Sequence, residues 1–314
     1  MLKEYTKMID RRKFIGHTLS GVLVSAAGRF PFDALADEPN LTTITILHTN
    51  DVHSRIDPFP MDGSRNEGAA GAAKRAHIIN QIRAEEKNVL LFDSGDIFQG
   101  TPYFNIFKGE LEIKLMSEMK YDAGTIGNHD FDLGIDGFEK QMKHANFPFI
   151  VSNYDFSNTL LNNKVDKYKI MEVDGVKIGL LGLGIELDGL VPPDLYLETQ
   201  YLDPIVEAQK HADLLKHELK CDYVICLSHL GYKYSSRDRV SDIVLAEQTD
   251  NIDLILGGHT HTFMKAPKVY ENKSGDEVII NQVGFGGILL GRIQILFEKN
   301  KKRKCITCKN KLVK

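Results

Sequence analysis

Residues 127–132 read Gly-Asn-His-Asp-Phe-Asp and follow 123–126, a short and partly apolar run. This run predicts a β-strand that delivers the six residues into a loop. An amide, an imidazole and two carboxylates at a strand end suit chemistry better than a folded core, because buried polar groups need partners. Asn, Gly and Asp also form ordinary turns, so this stretch alone does not distinguish a turn from a functional site.

Four other apolar runs also end in polar side chains. A carboxylate and an imidazole two residues apart follow the first run, and on an extended chain they face the same side. One such ending is common, but five in order along a chain are hard to reconcile with incidental loops. The runs are 42–47, 89–92, 123–126, 223–227 and 252–256. The polar residues that follow them are Asp51 and His53; Asp96; Asn128, His129 and Asp132; His229; and His259 and His261.

Segments with helical character separate these runs in the first half of the chain. They lie at 68–84, 106–119 and 135–145, and a further strand is expected at 149–152. The resulting β-α-β-α-β-α-β order predicts an α/β sheet whose strand ends share one edge. Later, Asp174-Gly175 between two apolar runs predicts a hairpin. Helices are expected at 204–219 and 237–248, and residues 265–297 alternate as in an antiparallel sheet with a turn near 272–276.

The donor set at the five strand ends indicates a metal site. Imidazoles, carboxylates and an amide oxygen without thiolates suit Mn²⁺, Zn²⁺ or Fe. The set exceeds the four ligands of one tetrahedral zinc and would serve two ions that share a carboxylate. Two adjacent ions lower the pKa of a bridging water and clamp the oxygens of an in-line displacement at phosphorus. The residues therefore predict hydrolysis of a phosphate ester by the bridging hydroxide.

The complete series of motifs resembles that of the calcineurin-like metallophosphoesterases. It comprises Asp51-x-His53, Gly95-Asp96-x-x-x-Gly100, residues 127–130, His229 and Gly258-His259-x-His261. Residues 47–54, Leu-His-Thr-Asn-Asp-Val-His-Ser, resemble more narrowly the branch of 5′-nucleotidases and UDP-sugar hydrolases. The resemblance covers residues 41–298 and implies a four-layer α-β-β-α sandwich with the site on one edge.

The resemblance also implies a role for each polar residue. His129 would stabilise charge on the leaving-group side or protonate the leaving alkoxide, and Asp132 would orient it. Asp130 stands where many relatives have Glu, and we expect a near-neutral difference that does not touch the metals. By motif position, Asp51, His53 and His261 would hold one ion; Asn128, His229 and His259 would hold the other; and Asp96 would bridge them.

Relatives in the nucleotidase branch continue into a C-terminal domain that recognises the nucleoside, and a chain ending at Lys314 leaves no room for it. We therefore expect a separately encoded C-terminal domain as a partner, with a small phosphate ester as substrate. Alternatives are an exported cyclic-nucleotide phosphodiesterase, a sulfate thiohydrolase, or a metal-binding subunit that is active only with a separate recognition domain.

The first 36 residues resemble a twin-arginine signal peptide. Arg11-Arg12 precedes a mildly apolar segment at 19–28, and 34–36 read Ala-Leu-Ala, a small-x-small cleavage pattern. The alternative is an amphipathic helix with an incidental pair of arginines. The apolar segment is too short for a stable membrane anchor. We therefore expect export to the periplasm or the exterior, a catalytic domain at 37–300 and a frayed basic tail at 301–314.

Composition excludes some partners. The 314 residues are 42% hydrophobic and 26% charged, with a formal net charge of −4, so neither a nucleic acid polymer nor an anionic membrane is indicated.

Cys221 and Cys226 are expected to be buried thiols. Cys305-x-x-Cys308 is expected to form a tail disulfide or to remain as free thiols. The glycine-rich residues 284–287 resemble a phosphate-cradling loop, but their position between strands favours a β-turn.

Overall fold

The computed structural model describes residues 24–25, 41–298, 301–308 and 310–314, with the backbone alone for 24–25 and 301–308. Nearly all of the predicted signal peptide lies outside these ranges, so the twin-arginine segment stays a prediction. Within the described residues, no helix is both long enough and apolar enough to cross a membrane.

The first sheet is built around β2, because this strand combines a long β-branched run with neighbours on both edges. Its strand order is β1-β14-β13-β2-β3-β4, and β15 pairs with the early part of β13. The strands β2, β3 and β4 run parallel, whereas β13 is antiparallel to β2. The bounds are β1 Val24–Ser25, β2 Leu41–Thr49, β3 Val89–Asp93, β4 Ala123–Gly124, β13 Leu289–Glu298, β14 Lys301–Cys308 and β15 Lys311–Leu312.

The second sheet has the order β11-β12-β10-β9-β7-β6. The hairpin predicted at Asp174-Gly175 is confirmed, since β6 and β7 end and begin on either side of it. The strands β7, β9, β10 and β12 run parallel to one another. A separate pair joins β5 (Tyr154–Asp155) to β8 (Gln200–Tyr201). The bounds are β6 Tyr168–Val173, β7 Val176–Leu183, β9 Tyr223–Ser228, β10 Leu254–Gly257, β11 Lys268–Glu271 and β12 Glu277–Asn281.

Side chains along each strand point alternately to the two faces of its sheet, and the fold therefore has four layers. In β3, Leu90 and Phe92 join an apolar cluster between the two sheets, whereas Leu91 joins a second cluster under the helices of the first sheet. In β9, Ile225 faces the first of these clusters and Cys226 a third one, under the helices of the second sheet. Since successive side chains point to opposite faces, each sheet has a helix layer on its outer side. The predicted α-β-β-α class is confirmed.

The helices lie close to their predicted positions, with three differences. The helix predicted at 106–119 is two helices, since Lys108 adopts a left-handed conformation (φ 53°) and Gly109 follows it (φ 83°). The helix predicted at 237–248 begins only at Asp242, after the N-cap Ser241. The one predicted at 204–219 ends in a π-helical turn, Leu214–Glu218. The bounds are α1 Ala72–Glu85, α2 Pro102–Phe107, α3 Glu110–Glu118, α4 Gly134–Met142, α5 Pro193–Tyr196, α6 Pro204–Asp213 and α7 Asp242–Gln248.

The prediction of a frayed tail is wrong. The strand β14 pairs antiparallel with β13, β15 pairs with β13 as well, and Val313 is fully buried. The physical reason is the edge that β13 leaves open, whose backbone groups a further strand can satisfy. The boundary predicted at residue 300 therefore falls between two paired strands. The strand predicted at 149–152 is also absent as a named strand, and isolated bridges occur there instead.

Candidate metal centre

The site lies where β2, β3, β4, β9 and β10 end. These strands run parallel within their sheets, so their carboxyl ends reach the same edge of the sandwich. The loops after them bring all nine predicted residues together, as expected for α/β folds. The nine side chains divide into two donor clusters and one pair.

The first donor cluster, here called the open cluster, contains Asp51, His53, Asp96 and His261. One donor atom from each lies within 4.8 Å of the others. The His261 Nε2 atom is 3.2 Å from Asp51 Oδ1, and His53 Nε2 is 3.8 Å from Asp96 Oδ2. The His53 Nδ1 atom donates to the carbonyl oxygen of Phe98 at 3.1 Å, which leaves Nε2 directed at the cluster.

The second donor cluster, here called the closed cluster, contains Asp96, His229 and His259, again with donor atoms within 4.8 Å. Asp96 thus belongs to both clusters. Asn128 joins the closed cluster through Oδ1, which is 2.9 Å from His259 Nδ1. Burial lowers the pKa of His259 to about 3, so its ring is neutral and able to act as a metal ligand at neutral pH.

The residues present fit a metal ion. The His229 Nδ1 atom is fixed by the carbonyl oxygen of Ser94 at 2.6 Å, while its fully buried Nε2 has no hydrogen-bond partner and lies 3.2 Å from Asp96 Oδ2. Burial opposes protonation of this ring, yet the charge of Asp96 outweighs it and raises the pKa of His229 to about 10. The pocket therefore favours positive charge between the two side chains, and a divalent cation would supply it.

Left-handed backbone conformations concentrate at the donor residues. Positive φ angles of this kind are uncommon for residues other than glycine, and each costs of order 1–3 kcal/mol. They turn the side chains inwards immediately after the strands end. The donors with positive φ are Asp51 (49°), His53 (51°), Asp96 (57°), His259 (68°) and His261 (51°).

Two glycines allow the loops to approach one another. A Cβ atom on Gly127 would lie 2.2 Å from Asp96 Oδ1, and one on Gly95 would lie 2.6 Å from the nitrogen of Gly127. Gly95 also has a φ of 86°. A larger residue at either position would separate the loop that carries Asp96 from the loop that carries Asn128.

His129 and Asp132 form the pair beside the donors. The His129 Nδ1 atom is 3.0 Å from Asp132 Oδ2, and this hydrogen bond raises the pKa of His129. The ring faces His53 edge-on, with 5.3 Å between centroids. Neither residue belongs to a donor cluster, and the role of His129 at the leaving group stays a prediction.

Sequence reasoning underestimated Asp130. This fully buried carboxylate accepts hydrogen bonds from the backbone nitrogens of Asp96, Ile97, Phe98 and Gly127 at 2.8–3.2 Å. Burial raises its pKa to about 7. Asp130 therefore holds the loop that carries Asp96 against the loop that carries Asp130 itself. Its position within residues 127–132 was the sequence feature that could have identified this role.

Asn50 was missed as well. Its Nδ2 donates to the carbonyl oxygen of Gly284 at 2.7 Å, and its Oδ1 accepts from the nitrogen of Val283 at 3.0 Å. This amide fastens the loop of Asp51 to the segment between β12 and β13. Its place beside Asp51 gave no indication of a partner so distant along the chain.

Comparison with known proteins accounts for this geometry. The family described as Calcineurin-like phosphoesterase matches residues 44–263. The chain belongs to this family. The relatives that it matches include 5′-nucleotidases, as the resemblance of residues 47–54 predicted. The snake venom 5′-nucleotidase of Crotalus adamanteus is 34% identical over 276 residues, which cover 81% of this chain and 45% of the venom protein.

Solved structures of nucleotidases have a fold similar to that of this chain. The 5′-nucleotidase precursor from Thermus thermophilus has a TM-score of 0.75 and 29% identity, and the match covers 86% of this chain and 54% of that one. The NAD nucleotidase of Haemophilus influenzae has a TM-score of 0.75 and 25% identity, with 87% of this chain and 50% of that one covered. The chain spans about half the length of the curated relatives it matches.

Proposed function

We propose that this chain carries the catalytic centre of a two-metal phosphoesterase that acts on 5′-nucleotides or related small phosphate esters. The observation that carries the proposal is the shared position of Asp96 in the two donor clusters. Membership of the calcineurin-like phosphoesterases supports the reaction class. Nucleotidases among the relatives support the substrate class.

Asp51, His53 and His261 would hold one ion, Asn128, His229 and His259 the other, and Asp96 both. Mn²⁺, Zn²⁺ and Fe all suit this donor set. When bound, the two ions supply a nucleophile at neutral pH and stabilise charge on the phosphoryl oxygens. The protein contributes the fixed positions: Ser94 and Phe98 orient His229 and His53 through backbone carbonyls, and Asp130 secures the loop of Asp96.

His129 would serve the leaving group. Its Nδ1 proton is held by Asp132, so Nε2 remains for the ester oxygen that departs. The hydrogen bond to Asp132 raises the pKa of the ring and thereby favours the protonated form that can donate from Nε2. Donation of this proton would neutralise the developing alkoxide.

The relatives also bear on recognition of the nucleoside and on export. We propose that a further domain recognises the nucleoside, because the relatives extend to about twice the matched length. We also propose export, which agrees with relatives that include a venom protein and a precursor. The twin-arginine route is proposed from Arg11-Arg12 and the cleavage pattern at 34–36.

The test is metal-dependent hydrolysis by the purified chain. The chain would be supplied with Mn²⁺ or Zn²⁺ and assayed on 5′-AMP, a UDP-sugar, NAD, a cyclic nucleotide and a thiosulfonate. We expect phosphate release from 5′-AMP that a chelator abolishes and that His129→Ala lowers strongly. The matched control is His77→Ala, since His77 is exposed on α1, away from the donors.

Several results would contradict parts of the proposal. Absence of hydrolysis of every phosphate ester by metal-loaded protein would contradict the catalytic assignment. Preferential turnover of the cyclic nucleotide or the thiosulfonate would favour the phosphodiesterase or thiohydrolase alternative. Preferential turnover of NAD would favour the dinucleotide specificity that the Haemophilus influenzae neighbour's name describes.

A further inference from the structure

A second cavity lies beside the metal centre. It has a volume of about 570 Å³, and its wall includes Phe263, Phe285 and Leu289. Phe285 also lines a smaller cavity of about 240 Å³ that contains His53, His129 and His261. The larger cavity is therefore separated from the metal centre by one aromatic side chain. Its volume lies within the range of small-molecule sites.

The glycine-rich segment 284–287, for which the sequence favoured a β-turn, contributes Phe285 to the wall between the two cavities. Gly284, Gly286 and Gly287 have φ values of 77°, 62° and 65°, and Phe285 stands between them. A Cβ atom on Gly284 would lie 2.3 Å from the ring of Phe263, so the absence of a side chain lets that ring rest on the backbone. The segment thus presents aromatic surfaces rather than a phosphate cradle.

Phe285 contacts rings on both sides of the wall. It stacks on His261 with 5.2 Å between centroids and 24° between planes. It meets Phe263 edge-on at 5.7 Å and 78°. Phe263 is 44% exposed, and one of its surfaces is open to a ligand. Two rings at nearly a right angle form a corner into which a planar aromatic group fits.

Three cations surround this corner. Arg65, Lys265 and Lys314 all line the cavity, and all are exposed. Within the described part of the chain, none of them forms an ion pair or a side-chain hydrogen bond. The acidic Glu67 of the wall is engaged, because its Oε2 accepts from the nitrogen of Gly63 at 2.7 Å. The cavity is therefore lined by three cations and one carboxylate, and this excess of positive charge favours binding of an anion.

We propose that this cavity binds a nucleotide-like ligand, with its planar base against Phe263 and its phosphate among Arg65, Lys265 and Lys314. Stacking on an aromatic ring accepts any base, and the cations supply affinity for phosphate. Two sources share this chemistry: the distal half of a dinucleotide substrate, or a separate mononucleotide. Either ligand would lie against the ring that stacks on His261.

Binding is measured on the full-length chain after metal removal with a chelator, with circular dichroism to show that it remains folded. Without ions the donor clusters do not attract phosphate, so AMP titrated by calorimetry reports on the cavity. We expect saturable binding with a Kd of about 1 mM or tighter. Phe263→Ala and Lys265→Ala should each weaken it about tenfold, since each removes one stacking or charged contact.

Matched controls lie elsewhere on the surface. Phe107 has the same 44% exposure as Phe263, and Lys273 is an exposed lysine in the turn between β11 and β12. Phe107→Ala and Lys273→Ala should leave the Kd for AMP unchanged. The proposal is wrong if AMP shows no saturable binding, or if cavity and control variants bind it equally well.

Kinetics on the metal-loaded protein then distinguish the two sources. If Phe263→Ala raises KM for NAD but not for AMP, the cavity holds the distal half of a dinucleotide. If both KM values are unchanged while the metal-free variant has lost AMP binding, the ligand is a separate mononucleotide. Because the binding assay uses no metal, a failure of hydrolysis would contradict the proposed function and leave this result intact.

Discussion

The open and closed clusters share one carboxylate and have similar donors, but they differ in their access to solvent. In the open cluster, the side chains of His261 and His53 are 41% and 13% exposed. In the closed cluster, the side chain of His229 is fully buried and His259 is half-buried. We therefore expect similar ligands to serve separate tasks: the closed cluster would stabilise the centre, and the open cluster would meet the substrate.

The largest effect is expected from the residue that the clusters share. Asp96→Ala should abolish stoichiometric binding of both ions and lower kcat about 1,000-fold or more, because the ions supply several kcal/mol of charge stabilisation. Metal content by mass spectrometry and phosphate release would be measured together. Retention of two tightly bound ions would show that the clusters do not depend on Asp96. Asp57→Ala, an exposed aspartate outside the clusters, is the control.

The next prediction concerns stability without metal. His229→Ala should lower the free energy of unfolding by about 3 kcal/mol, since it leaves the buried Asp96 without its charged partner. His261→Ala should cost less than about 1 kcal/mol, because its side chain is 41% exposed and solvent screens its interaction with Asp51. Urea unfolding of the chelated variants tests this difference. Equal losses would contradict the division into a closed and an open cluster.

The third prediction concerns His129, which we expect to act on the substrate beside the open cluster. His129→Ala should lower kcat about 100-fold or more, since it removes a proton donor, while two ions remain bound. Asp132→Asn should lower kcat less and shift the pH dependence of kcat, because the ring loses the hydrogen bond that raises its pKa. Loss of an ion from the His129 variant would instead assign the ring to metal binding.

The smallest effect is expected for Asp130, which contacts the loop of Asp96 from behind the donor clusters. Asp130→Ala should destabilise the fold by about 2 kcal/mol, because buried backbone donors lose their acceptor. It should also weaken metal binding by freeing the loop of Asp96. The control is Asp136→Ala, whose side chain is 60% exposed in a surface ion pair, and it should change stability by less than about 0.5 kcal/mol. Thermal unfolding with and without Mn²⁺ measures both effects.

Much of the site was predictable because its donors follow apolar runs directly. Hydrophobic runs locate strands, and parallel neighbours end at one edge, so His229 and His259 could be placed together from sequence alone. The same rule placed Asp51 and Asp96 at one edge of the first sheet. Which atom of each ring faces a metal could not be predicted, because it depends on the carbonyls of Ser94 and Phe98, brought close only by folding.

Other features depend on contacts that sequence patterns do not show. The basic composition of residues 299–314 indicated a frayed end, yet the open edge of β13 recruits β14. A continuous helical pattern at 106–119 concealed the break at Lys108, since propensity is a weak guide against tertiary contacts. Asp130 looked replaceable because its backbone partners come from two loops.

The left-handed donors have a consequence for the evolution of this fold. Replacing His261 by glycine would relax its backbone by about 1 kcal/mol, even as it removed a ligand. Selection for stability alone would thus favour glycine where the chemistry needs imidazole or carboxylate. The apolar core between the sheets tolerates this conflict, so the presence of such residues at one edge records selection for activity at the expense of stability.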